Sequence, residues 1–376
     1  MSSVSSQAVV MTVNAGSSSL RLDLIRGDEV LHERYVERQA PDPSAIERTI
    51  AAFLREAPTG DIALAGHRLV HGGDAVLAPT VADDDVIAAV RRFADLAPLH
   101  VPPALALVEA ARRLLPDIPH VLCPDTAFHA RMPEAARTYP LPAEWRRAYG
   151  LRRYGFHGVS YAWALGRACD LLGRPAAASR MVFTHLGGGA SVCAVRDGVS
   201  VDTSMGFTPL EGVPMSTRSG SVDPGMLLWL LDDERLSLEE LRDGLEHRSG
   251  LLGLSDGRSG DTRDLVAARD AASRLALEVF AHRVAREIAA ASAGLDRVDA
   301  LVFTGEIGWD QFEVRRDVCR RLGALGVLPP VREEVDTDMI VSAPGATVPV
   351  LVVKPREELQ VAREALAAAE SARTSA

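Results

Sequence analysis

Residues 181–206 read MVFTHLGGGASVCAVRDGVSVDTSMG, and they repeat an order of elements already met at the N-terminal end of the chain. There, residues 10–25 read VMTVNAGSSSLRLDLI: an apolar β-prone run, a polar turn, then Leu20, Leu22 and Leu24 alternating with Arg21 and Asp23. A turn at Arg26-Gly27-Asp28 and a third strand follow. The later stretch has the same sequence of parts: strand, glycine-rich turn, strand, Arg-Asp-Gly turn, strand. Identity between the copies is slight, and they lie about half a chain apart, so the pattern is a domain-sized duplication rather than a solenoid. A tight hairpin needs only two turn residues. The first turn instead carries Asn14, Ala15, Gly16 and three serines, a set able to gather backbone N–H and side-chain donors around an anion.

The remaining segments fit two similar α/β lobes. DIALAGHRLV reads as a strand running into a polar loop, LALEVFAHRVAREIAAASAG as a long amphipathic helix, VDALVFTGEIG as a strand ending in a loop, and REELQVAREALAAAESA as a final helix. Proline-rich stretches separate the halves. The expected division is an N-terminal lobe over 1–124 with the C-terminal helix 359–376 packed back on it, and a C-terminal lobe over 125–358. Ligands in such folds sit outside strand ends, and a cleft between the lobes is the expected active site.

A chain of 376 residues is long for one core, which agrees with two domains. Hydrophobic residues at 47% and charged residues at 24% are ordinary for a globular protein. The net charge of -10 argues against nucleic acid or an anionic membrane as partner, while leaving room for phosphorylated ligands bound by local arginines. Cys123, Cys169, Cys193 and Cys319 are far apart and form no CxxC, so reduced, buried thiols are expected. The N-terminus lacks a basic region and a long apolar run, and no stretch is long enough to span a bilayer. A cytoplasmic protein is the expectation.

Six polar loops fall at strand ends or element junctions. They are AGHRLVHGGD (65–74), CPDTAFHARMP (123–133), RRYGFHGVSY (152–161), THLGGGASV (184–192), PMSTRSGSVDPG (214–225) and FTGEIGWD (303–310). A lone histidine is usually structural, and a lone GGG is a weak phosphate signal. Six such loops in one duplicated α/β chain are a stronger one.

Together with VNAGSSSL, APLH, DTSMGFTPLEG, SGLLGLS and EELQVARE, these motifs resemble the acetate kinase family of the actin and sugar kinase superfamily, in the family's order over nearly the whole chain. The resemblance implies mixed β-sheets flanked by helices, phosphoryl transfer between ATP and a short carboxylate with Mg²⁺, and a homodimer. It implies that Asn14 holds the transferring phosphoryl group, that Arg68 and Arg218 bind the carboxylate and phosphoryl oxygens, and that His157 hydrogen-bonds the same oxygens. Asn14, Asp125 and Glu357 become the metal residues, with Asp125 also orienting the acceptor. The acyl pocket corresponds to Val70, Leu99, Phe156 and Pro209, whose bulk suits acetate or propionate. His100 is a supporting histidine. The donor side corresponds to Ser17, Ser19, Arg21, His185, Gly187, Gly188, Gly189, Asp261, Thr262, Arg263, Gly305, Glu306, Ile307 and Gly308.

The chemistry agrees. A carboxylate is already ionised at neutral pH and needs no base. It needs fixed positive and hydrogen-bonding groups that let two anions meet in line.

The chain departs from the family at several places. Arg21 stands where lysine is usual, Gly188 where asparagine is usual, and Ser221 where aspartate is usual. FTGEIGWD replaces a pattern near TGGIGEN, so Glu306 occupies a glycine position beside the nucleoside, with Trp309 and Asp310 following. SDGRSGDTRD is longer and richer in glycine than usual, although Asp261 and Arg263 keep their spacing. The acceptor side is therefore intact and the nucleoside side rewritten. Glu306 either swings toward solvent or the ribose, or it marks another donor such as pyrophosphate, polyphosphate or a different nucleotide. A non-catalytic ligand sensor of the same fold is the third reading.

Overall fold

The computed structural model describes residues 8–15, 19–37, 43–57, 62–94 and 101–375. The chain forms two compact units: 1–130 with 156–163 and 356–376, and 131–155 with 164–355. Each is built on a six-stranded mixed sheet.

In the first unit, β1 (Val9–Ala15), β2 (Ser19–Arg26) and β3 (Glu29–Glu37) form an antiparallel meander. β4 (Ile62–Leu69) lies parallel to β1, and β6 (His120–Pro124) parallel to β4. The short β5 (Thr80–Val81) closes the edge antiparallel to β6. In the second unit, β7 (Arg180–Leu186), β8 (Ala190–Arg196) and β9 (Val199–Thr203) form the same meander. β10 (Ala300–Thr304) is parallel to β7 and β12 (Val350–Val352) parallel to β10, with β11 (Met339–Ile340) antiparallel at the edge.

The strand orders are 3-2-1-4-6-5 and, read in the same direction, 9-8-7-10-12-11. The duplication extends to irregularities. The ladder slips between Leu24 and Ile25 in β2 and between Ala194 and Val195 in β8, in both cases two residues before the strand ends. Such a bulge increases local twist and aims the following turn. The second copy then turns at Asp197 (φ 54) and Gly198 (φ 80), both left-handed, as a type I′ hairpin requires.

Helices cover the sheets through narrow apolar faces. In the helix Ala271–Ser292, Ala276, Phe280, Val284, Ile288 and Ala291 recur on one face and are buried, and Asp270 caps its start by accepting from Ser273 N. The helix Glu357–Ser375 packs on β1, β4 and β6 through Leu359, Val361, Ala362, Ala365 and Ala369. It comes so close to β4 that a Cβ on Gly66 would lie 2.8 Å from a Val361 methyl. That close approach brings the helix's first residue, Glu357, to the site described below.

One local expectation is corrected. FTGEIGWD does not end as a loop; a short helix, Gly305–Asp310, starts directly after β10. Gly305 takes φ 79, and a Cβ there would lie 2.4 Å from the Leu186 carbonyl, so the chain turns into the helix without a connection. Six residues are too few for helical periodicity to be visible.

Candidate active site

In the first unit, the carboxyl ends of three parallel strands deliver polar side chains to one place. Asn14 is near the end of β1, Arg68 near the end of β4, and Asp125 directly follows β6. The guanidinium of Arg68 grips Asp125 twice, Nε to Oδ1 at 3.3 Å and Nη2 to Oδ2 at 2.7 Å. Its Nη1 donates to Asn14 Oδ1 at 3.1 Å and lies 3.5 Å from Glu357 Oε2. Asn14 Nδ2 donates to the same Glu357 oxygen at 2.9 Å. Four of the expected residues therefore form one network, with Asn14 using both ends of its amide inside it.

The side chains of Arg68 and Asp125 are only 11% and 1% exposed, which makes the network's electrostatics strong. Burial alone would lower the Arg68 guanidinium, but Asp125 and Glu357 more than reverse this and hold it above its ordinary value. Burial pushes the Asp125 carboxyl up, with Arg68 pulling against it.

Next to this network, His157 sits in the left-handed region (φ 58), an uncommon conformation for a residue with a Cβ. The following Gly158 opens the helix Gly158–Leu172, and a Cβ there would lie 1.9 Å from the Asp125 carbonyl. The glycine lets the helix start touch the Asp125 segment, and Val159 N points at Asp125 Oδ1 at 3.4 Å. Val70 and Phe156, expected to line the acyl pocket, are both buried. Phe156 is fixed by the edge of His71, ring centroids 5.4 Å apart, and by a hydrogen bond between His129 Nε2 and its carbonyl at 3.0 Å.

Arg21 points elsewhere. It lies on β2 and meets Asp23 at 2.9 Å, Glu33 at 3.1 Å and Glu358 at 3.4 Å, tying together two strands and the C-terminal helix. Ser17, Leu99 and His100 lie outside the described residues, and Ser19 opens β2.

In the second unit, the segment 204–221 carries Pro209 and Arg218. Arg218 Nη1 donates to the Pro209 carbonyl at 2.9 Å. This part-buried guanidinium makes no ion pair among the described residues, and burial lowers its pKa. The segment is framed by residues that motif reading left without a role. Tyr139 Oη donates to Glu211 and accepts from Phe207 N at 2.9 Å. Arg153 donates to Glu211 at 2.8 Å and to the carbonyls of Ser204 and Met205 at 3.0 Å each. The one sequence trace of this frame is Gly206, where a Cβ would lie 1.7 Å from a Glu211 carboxylate oxygen.

The donor-side residues gather at the ends of β7 and β10. A cavity of about 480 Å³ is lined by Gly188, Asp261, Arg263, Glu306 and Asp310, among others. Thr262 and Ile307 also line it, while Gly187 and Gly189 shape the turn beside it through a bond from Gly187 N to Gly189 O at 3.0 Å. His185 is the second-last residue of β7, and Gly308 is buried in the helix that begins at Gly305. Arg263 grips Asp261, with Nη2 to Oδ2 at 2.6 Å, and this bond holds Asp261 below the usual carboxylate range. Glu306 is exposed on the cavity wall. A Cβ on Gly188 would meet nothing within 4 Å, so this position is open to a side chain at its base.

A sequence profile of the Acetokinase family matches residues 44–363. The acetate kinase of Leifsonia xyli subsp. xyli is 42% identical over 96% of this chain and 99% of its own. That of Thermotoga maritima is 38% identical over 94% and 97%. The crystal structure of Porphyromonas gingivalis acetate kinase superposes with a TM-score of 0.87 at 33% identity, covering 96% of this chain and all of that one (100%). A propionate kinase from Francisella tularensis subsp. tularensis superposes with a TM-score of 0.85 at 30% identity, covering 95% and 99%. With the family profile matched over residues 44–363 and relatives matched over nearly the full length, this chain belongs to the acetokinase family.

Proposed function

We propose that the protein catalyses reversible phosphoryl transfer between ATP and a short carboxylate, acetate or propionate, giving the acyl phosphate. The observation that carries this reading is Arg218. Among the described residues this part-buried guanidinium has a carbonyl as its only hydrogen-bond partner, and the charge of Glu246 only partly offsets its burial, so an anion joining it would complete the compensation. The relatives named acetate kinase, at 38% and 42% identity, support a kinase over a non-catalytic sensor.

In this reading the acceptor arrives ionised. Arg68 and Arg218 hold its oxygens and offset the charge building on the equatorial phosphoryl oxygens, and His157 adds a hydrogen bond. Val70, Phe156 and Pro209 bound the acyl chain. Asp261, Arg263 and Glu306 receive the nucleoside, with Glu306 accepting from ribose hydroxyls.

Asp125 and Glu357 offer hard carboxylate oxygens of the kind Mg²⁺ takes, largely through water, and Asn14 keeps Glu357 turned toward Asp125 and Arg68. An ion held there would supply positive charge to offset that of the donor phosphate oxygens. The test is hydroxamate trapping of acyl phosphate with acetate, Mg²⁺ and ATP, run beside pyrophosphate. Product from ATP supports the reading; product from pyrophosphate alone contradicts the donor assignment.

A cytoplasmic homodimer completes the proposal. No helix among the described residues is long and apolar enough to cross a membrane. The helix Pro224–Leu231, sequence PGMLLWLL, has no buried residue, and Leu228 and Trp229 are 66% and 56% exposed. A helix apolar on every face calls for a cover, and a second copy presenting the same helix supplies one. Light scattering should give twice the chain mass, and Leu228→Glu should give monomer.

A further inference from the structure

Residues 134–152 build a short arm on the second unit. A helical turn at Glu134–Arg137 leads to Thr138, which bridges antiparallel to Arg152. Between them lies the helix Ala143–Tyr149, ended by Gly150 at φ 62. The arm frames an open surface pocket of about 260 Å³ lined by Arg137, Arg146, Arg147, Arg152 and Glu134, among others.

Four guanidiniums share this wall with one carboxylate. The carboxylate is already engaged: Glu134 accepts from Arg137 Nε at 2.7 Å and from Thr138 Oγ1 at 3.0 Å. Arg146 gives its Nε to the Leu141 carbonyl at 3.1 Å, and neither it nor Arg147 makes an ion pair among the described residues. Positive charge thus accumulates locally on a chain of net charge -10. Clustered forks of this kind match the oxygens of phosphate groups.

The pocket also touches the frame of the acceptor segment. Arg152 and Thr138 are bridge partners, and the residues after them, Arg153 and Tyr139, both bind Glu211. Arg153 N donates to the Arg137 carbonyl at 2.8 Å, which locks the two strands of the arm together. Glu211 lies two residues from Pro209, whose carbonyl holds Arg218.

We propose that this pocket is a regulatory site for a multiply charged oxyanion of the phosphate or pyrophosphate type, acting on the acceptor segment through Arg153, Tyr139 and Glu211. The regulatory half rests on the carboxylate kinase reading; the binding half does not. The test compares the full chain with the double variant Arg146→Ala, Arg147→Ala, neither residue belonging to the transfer site. In calorimetric titration with pyrophosphate, the natural protein should show one binding event that the variant lacks or shows at least tenfold weaker. At saturating ATP, pyrophosphate should shift the KM for acetate in the natural protein and not in the variant, with kcat alike in its absence. Repeating the titration with inorganic phosphate shows which of the two anions the site prefers. Identical isotherms for the two proteins overturn the site. A lost binding event with no difference in acetate KM overturns the regulation. Absence of any acyl phosphate product contradicts the proposed activity alone, because the calorimetry needs no turnover.

Discussion

The two units share a strand order, a bulge position and a hairpin scheme, yet partner the charges of their candidate site residues in opposite ways. The first unit closes its charges on one another: Arg68 meets Asp125, Asn14 and Glu357 within 3.5 Å. The second leaves Arg218 with a carbonyl and opens a cavity beside the Asp261–Arg263 pair. A duplicated sheet provides matched places for chemistry and does not dictate what is put there. The closed network fixes geometry before substrate arrives, while the open arginine depends on substrate for its charge partner.

The contrast predicts different penalties for losing each arginine. Arg68→Ala should have the largest combined effect. It should cut turnover on the order of 10³-fold, as removal of phosphoryl-transfer arginines does. It should also cost about 3–5 kcal/mol of stability, because Asp125 is left buried and unpaired. Denaturant unfolding together with steady-state rates checks this; unchanged stability would mean that the network contributes nothing to the fold.

A second difference lies beneath the first site. His67 is fully buried, its Nε2 3.0 Å from His120 Nδ1, and burial followed by the neighbouring His120 lowers its pKa to about 3. The unfolded chain, with histidine near 6.5, binds this proton more readily. Its contribution to stability is therefore full above pH 6.5 and is lost as pH falls toward 3, by about 1.4 kcal/mol per pH unit. Unfolding free energies measured from pH 7 to 4 should decline on this slope, and His67→Gln should flatten it. An equal acid slope in the variant would remove His67 as the cause.

On the open side, Glu306→Gly should weaken ATP by about 1–3 kcal/mol if the carboxylate holds ribose hydroxyls, since hydrogen bonds to charged groups are of that size. Tighter ATP binding in the variant would show that Glu306 obstructs the nucleoside. The smallest expected effect is at the acyl chain. Val70→Ala should raise the propionate-to-acetate ratio of kcat/KM about tenfold, one methylene's worth. A constant ratio would take Val70 out of the pocket.

The duplication was legible because hairpins are local. Alternation in Leu20, Leu22 and Leu24 and the Arg-Asp-Gly turn at 196–198 both appear as short-range patterns. Asn14, Arg68, Asp125 and Glu357 were legible only through family motifs, since 343 residues separate Asn14 from its partner Glu357 and no local pattern spans that distance. The Tyr139–Glu211–Arg153 frame was not legible, because side chains 58 and 72 residues apart meet there and only Gly206 records the contact. The surroundings of Arg21, which the family resemblance sets on the donor side, were not legible either: Asp23 on the same strand and Glu33 on the next take its charge.

The open arginine offers the most direct measurement. Arg218→Ala, assayed for acetyl phosphate formation and melted in parallel, should lose on the order of 10³-fold in turnover. Its melting temperature should stay near that of the natural protein, because Arg218 makes no ion pair among the described residues. Turnover close to normal in a folded variant would contradict the assignment of Arg218 to the transferring group and its acceptor.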